Sequence, residues 1–142
     1  MPKAACHLLD VNVLVALLDE DHIHHHLVTK WFDTPGLQWA ICSFTEAGFL
    51  RYMTRSGMSA EEATLMLTRL AEEPGYHFQP CPVGWHKLCG PILARIFGHN
   101  QITGAFLLGL AIHEKIVLAT LDKAIQVLAG KYQHHLLVIS SS

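Results

Sequence analysis

At 142 residues the chain has the length of one domain and enough material to bury a core without staples. Its 51% hydrophobic and 15% charged content suits helices covering both faces of a sheet, with apolar surface to spare for an oligomer interface. A formal net charge of -2 excludes a global basic field for nucleic acid, so a phosphate-bearing partner must be gripped by local Lys/Arg groups and metal ions. The four cysteines, Cys6, Cys42, Cys81 and Cys89, show no C-x-x-C pairing and read as buried free thiols of a reducing compartment. Asp10 interrupts the N-terminal apolar run too early for a signal peptide, and Ala105 to Ile112, the longest uncharged apolar segment, is too short to span a bilayer. The expected location is the cytoplasm, with no membrane partner.

Strand one, roughly Ala5 to Leu9, ends on Asp10 and feeds an apolar helix through Leu18. Asp19-Glu20-Asp21 closes that helix, and His22-Ile23-His24-His25-His26 forms a polar loop. In the next helix Leu27 pairs with Trp31 and Val28 with Phe32 at i,i+4, and Pro35-Gly36 breaks it. Leu37 to Cys42 reads as strand two. Ser43-x-x-Glu46 has the form of a capping box opening a helix to about Arg55, and Ser59-x-x-Glu62 is a second one. The second box opens a helix to about Glu73 whose buried stripe is Ala63, Met66, Leu67, Leu70 and Ala71, stopping at Pro74-Gly75.

Tyr76 to Phe78 is a brief strand, and a helix over Trp85–Phe97 leads into the loop Gly98-His99-Asn100-Gln101. Thr103 is expected to cap a helix to about His113 that is apolar nearly all round and therefore buried on most sides. Ile116 to Ala119 is a strand, Thr120-Leu121-Asp122 a turn, Lys123 to Ala129 a short helix, and Leu136 to Ile139 the last strand. Strands alternating with helices predict a single three-layer α/β/α sandwich over residues 1–142, built on a mostly parallel sheet.

Three acids, Asp10, Glu46 and Asp122, fall just after strand ends, where an open parallel sheet gathers its ligand-binding loops. Each also has a plainer reading as a helix cap. Together they suit a hard divalent cation, Mg²⁺ or Mn²⁺, which activates water and stabilises charge on a phosphodiester. The histidines of residues 22–26 invite a zinc site, but a tetrahedral site seldom uses adjacent residues, and a solvated loop is the better reading. Neither a G-x-G-x-x-G nor a P-loop glycine run follows any strand, which weakens a nucleotide-binder reading.

Asp10-x-Asn12, Thr45-Glu46-x-Gly48-x-x-Arg51 and Thr120-x-Asp122 resemble the motifs of a PIN domain, and within that family a VapC-type toxin of bacterial toxin–antitoxin systems. His25 followed by Trp31, and the stretch Gly98 to Thr103, are similar to the same subfamily. The resemblance implies a Mg²⁺- or Mn²⁺-dependent endoribonuclease with Asp10, Glu46 and Asp122 as metal-binding and catalytic residues. It implies RNA contacts by Asn12, His25, Thr45, Arg51, Asn100 and Thr120. It also implies a homodimer and neutralisation by a VapB-type antitoxin in the active-site groove. For the dimer, the sequence offers the long helix Ala60 to Glu73, with Met53, Met58 and Leu65 as neighbouring exposed apolar groups. The chain departs from the pattern at Gly104, where such proteins carry an aspartate. That departure leaves open an attenuated enzyme or a catalytically silent RNA- or protein-binding module of the same fold. With Asp10 and Asp122 close together and no bound cation, like-charge repulsion should raise the pKa of one of them.

Overall fold

A computed structural model describes residues 5–141. Its strands are β1 (Cys6–Leu9), β2 (Gln38–Ile41), β3 (Tyr76–Phe78), β4 (Val117–Thr120) and β5 (Leu136–Val138). Its α-helices are α1 (Val11–Leu18), α2 (His25–Phe32), α3 (Ser43–Arg55), α4 (Ala60–Leu70), α5 (Trp85–Cys89), α6 (Ile102–Glu114) and α7 (Ile125–Ala129). The strands form one sheet in the order β3-β2-β1-β4-β5, and every neighbouring pair is parallel.

Successive strand residues point to opposite faces, and the two cores follow that alternation. Leu8, Ala40 and Leu118 pack with α5, α6 and α7, whereas Leu9, Trp39, Ile41 and Ala119 pack with α1, α3 and α4. This is the three-layer sandwich read from the sequence. Helix α6 buries Ala105, Leu107, Leu108, Gly109, Leu110 and Ala111, as an all-round apolar segment must. Among the described residues no helix is long and apolar enough to cross a membrane.

Local departures from the expected elements have local causes. Ser43 does not cap α3: Cys42 is still extended and serves as the cap without a side-chain bond, so Ser43 is already helical. Ser59 does cap α4, accepting the Glu62 amide at 3.1 Å. Helix α4 ends at Leu70, one turn short of Glu73. Helix α5 stops at Cys89 and continues as a 3₁₀ turn over Gly90–Arg95, because Pro91 has no N–H for the α-helical ladder. Thr103 does not cap α6, which begins one residue earlier, after Gln101. Of the thiols read as buried, Cys42 and Cys89 are, Cys6 is half-buried and Cys81 is exposed; all four are free.

Candidate active site

The strand order places a topological switch between β1 and β4, where the connections leave toward opposite faces and a crevice opens beyond the strands' carboxyl ends. Asp10 follows β1 and Asp122 follows β4, so the two carboxylates flank that crevice. Asp10 is 5% exposed. Its Oδ1 accepts the Val11 amide at 2.7 Å, capping α1, and its Oδ2 accepts the Thr120 hydroxyl at 2.7 Å. The same hydroxyl oxygen accepts the Asp122 amide at 3.0 Å and the Asn12 side-chain amide at 3.3 Å. Asn12 Oδ1 in turn accepts the Leu121 amide at 3.1 Å. These bonds lock the loop after β4 to the head of α1.

Burial is the main cause pushing the Asp10 carboxyl above its ordinary range. The bonds from Thr120 and Val11 pull it down, and the Asp122 charge adds a smaller upward push. The expected rise therefore occurs at Asp10, but desolvation leads and like-charge repulsion comes last.

A cleft of about 360 Å³ opens on this network. Asp10, Asn12, Asp122, Asn100, Thr103 and Gly104 all line it. Gly104 has an ordinary backbone, and a Cβ there would meet only Ile125 Cδ1 and Cγ1 at 3.1 Å and Leu128 Cδ1 at 3.9 Å. A Cβ at 104 would therefore lie against α7, at the wall of the cleft that Gly104 shares with Asp10 and Asp122.

Other residues expected in RNA contact lie elsewhere. Thr45 is fully buried; its hydroxyl donates to the Leu9 carbonyl at 3.1 Å and ties α3 to the end of β1. Thr120 is likewise fully buried and orients Asp10, so neither hydroxyl is open to a polynucleotide. His25 is half-buried, with Nδ1 2.8 Å from the Ala16 carbonyl, so its bond steadies α1. Arg51 is exposed on α3 and does not line the cleft. Glu46, in the first turn of α3 at the same sheet edge, is half-buried and also off the cleft. Among the described residues no three His, Cys, Asp or Glu side chains gather at metal-binding spacing. Gly48 explains its place in the motif: a Cβ would strike Val11 Cγ2 at 2.6 Å, so glycine lets α3 approach the head of α1.

Comparison with known proteins agrees with this arrangement. Ribonuclease VapC38 of Mycobacterium tuberculosis is 38% identical over 128 residues, spanning 86% of this chain and 89% of the relative. Ribonuclease VapC29 of the same organism is 33% identical over 123 residues, spanning 87% and 90%. Ribonuclease VapC44, also from M. tuberculosis, is 34% identical over 137 residues, spanning 91% and 96%. The chain belongs to the VapC ribonuclease family. No family model matches it. Among solved structures, that of VapBC2 from Rickettsia felis, bound to a DNA fragment from its promoter, superposes with a TM-score of 0.63 at 14% identity. It covers 87% of this chain and 92% of the other, and shows a shared fold.

Two polar residues of the cleft in this VapC-family chain escaped the sequence reading. His22 and Tyr52 line it, from the loop after α1 and from α3. The sequence reading took His25 as the imidazole of the His22–His26 run that faces the groove, but His22 lines the cleft and His25 bonds the Ala16 carbonyl instead. Tyr52 carries no motif at all, and only the fold brings α3 to that wall.

Proposed function

We propose that this protein is a divalent-metal-dependent endoribonuclease toxin of a type II toxin–antitoxin system, acting in the cytoplasm on RNA. The observation that carries the reading is the Asp10–Thr120–Asn12–Asp122 network, opening onto a cleft at the sheet's switch point. The donor set suits Mg²⁺ or Mn²⁺: its groups are hard oxygens, and Mg²⁺ is commonly held by one or two carboxylates with water and phosphate filling the remaining positions. A buried Asp10 whose carboxyl is pushed upward by desolvation is an anion that a cation would relieve. Asp10 and Asp122 would hold the ion, and Glu46, on the same sheet edge, would add negative charge.

A bound ion would supply an activated water and a Lewis acid for the phosphodiester. The protein's own groups set the stage for it. Thr120 and the Val11 amide fix the Asp10 carboxylate in one orientation, and Asn12 fixes the turn that carries Asp122. The side chains of Asn12 and Asn100 offer amides to RNA at the cleft. A VapB-type antitoxin would neutralise the protein, as the VapBC assembly of the structural neighbour supports, and the active species would be a homodimer.

Gly104 favours a second reading, a silent RNA-binding module, because it leaves two carboxylates on the cleft. Gly104→Asp decides between them. The variant should fold, since only the Ile125 side chain must yield a few tenths of an ångström, and an acid in the first turn of α6 suits the helix dipole. Calorimetric titration should show Mn²⁺ binding to the natural chain, tightened at least about tenfold in the variant by the added ligand charge. RNA cleavage should rise in parallel. Equal metal affinity and equal cleavage in the two proteins would place Gly104 outside the metal site.

A further inference from the structure

The cleft wall formed by the loop after α1 carries chemistry that the metal-site reading leaves unused. His22 accepts the His24 backbone N–H on Nδ1 at 3.0 Å. A backbone N–H can only donate, so Nδ1 carries no proton and the neutral ring holds its proton on Nε2. Either the other tautomer or an imidazolium would set Nδ1–H against the His24 N–H and break the turn. Among the described residues Nε2 has no hydrogen-bond partner, and His22 lines the cleft.

The loop that presents this ring is tied down from both sides. The His22 amide donates to the Asp19 carbonyl at 3.0 Å, and the His25 amide donates to the His22 carbonyl at 3.0 Å. Asp19 caps the end of α1; its Oδ1 accepts the Asp21 amide at 3.0 Å, and its Oδ2 accepts the Tyr52 hydroxyl from α3 at 3.1 Å.

We infer that His22 is an RNA-contact residue, a fixed neutral N–H donor that binds a phosphate oxygen of the polynucleotide at the cleft, and that Asp19 and Tyr52 are its positioning residues. The inference rests on the ribonuclease reading of the cleft. It assigns His22 a donor's role and denies it that of general base, since a base at Nε2 requires the tautomer that the His24 amide forbids.

Two isosteres separate the donor from the turn. In His22→Asn the side-chain oxygen can replace Nδ1 as acceptor for the His24 amide, but nothing replaces Nε2–H. In His22→Gln the side-chain amide N–H₂ can replace Nε2–H, while the turn acceptor is lost. Binding of a fluorescein-labelled, mixed-sequence single-stranded 12-mer RNA is measured by anisotropy, with and without Mn²⁺, and folding of each variant is checked by thermal unfolding. His22→Asn should bind roughly 10- to 100-fold more weakly than the natural chain, the worth of one hydrogen bond to an anion. His22→Gln should stay within about twofold. Asn binding as well as the natural chain while Gln loses affinity would show that His22 only shapes the loop, and would overturn the inference while leaving the ribonuclease reading intact. Equal binding by all three proteins would overturn it likewise. A natural chain with no affinity for the RNA would overturn both readings.

Discussion

Asp10, the proposed metal ligand, opposes the stability of its own fold. Its carboxyl sits 5% exposed at the end of a buried strand, and burial outweighs the two hydrogen bonds that favour its charge. Its folded pKa therefore lies above its unfolded one, and the folded state holds the proton more tightly. The stability contribution is full below the unfolded value and is lost as pH rises through the folded value, so the metal-free protein bears the whole penalty only above the folded value. Asp10→Asn keeps the shape and removes the charge. It should raise the stability of the metal-free protein at pH 7 by about 1 kcal/mol, roughly 3 °C in Tm for a domain of this size. The same variant should lose the Tm increase that Mn²⁺ gives the natural chain through binding the folded state alone. Thermal unfolding at pH 7 with and without Mn²⁺ checks both. A variant less stable than the natural metal-free protein would show that the bonds from Thr120 and Val11 outweigh desolvation.

At the scale of elements, the helix on the far face of the sheet is fixed by a close crossing. Gly109 of α6 lies against α5, where an added Cβ would meet the Leu88 carbonyl oxygen at 2.7 Å and Cys89 Sγ at 3.0 Å. The carbonyl belongs to backbone and cannot rotate away, so Gly109→Ala should cost roughly 1–3 kcal/mol, measured by denaturant unfolding, despite alanine's better helix propensity. Gly104→Asp, five residues earlier on the same helix, meets only side-chain carbons and should cost far less. The close crossing at Gly109 was invisible in the sequence, which singled out Gly104 alone. What the sequence did show is the part governed by periodicity: the strand ends, the stripe on α4, and the placement of Asp10 and Asp122 at one edge. Signals that depend on a single residue's partner misled. The Ser43 box failed because β2's extended backbone runs on through Cys42, and the Trp85–Phe97 helix broke at Pro91. Glu46 and Thr45 were placed on the right element, and His25, read as a loop residue, opens α2; the roles of all three turn on how each helix rotates against the sheet. Only packing decides that.

For the whole molecule, the proposed homodimer needs a surface on which two copies could meet. The sequence pointed to the helix after Ser59 with Met53, Met58 and Leu65 as spare apolar groups. Met53 is 7% exposed and Met58 half-buried, which leaves Leu65, 47% exposed, as the apolar group that α4 could offer. The larger apolar surplus lies ahead of α6 and at its start: Phe97 is 84% exposed, Ile102 44% and Leu93 42%. Ile102 shares a face of α6 with Phe106, one turn on, and Phe106 stacks on Phe44 at the head of α3, ring centroids 4.8 Å apart. If two copies meet, these apolar groups are the ones the surface offers for burial. Sedimentation velocity at micromolar concentration should find a dimer. Phe97→Glu should weaken it at least about tenfold, the loss typical of an anchoring aromatic, whereas Leu65→Glu should leave it unchanged. Neither substitution touches the core, so both variants should unfold at the temperature of the natural chain. Dissociation by Leu65→Glu alone would move the interface to α4 and restore the sequence's first choice of surface. A monomer in every sample would remove the homodimer from the proposed function, with the metal site and the RNA cleft still to be judged on their own tests.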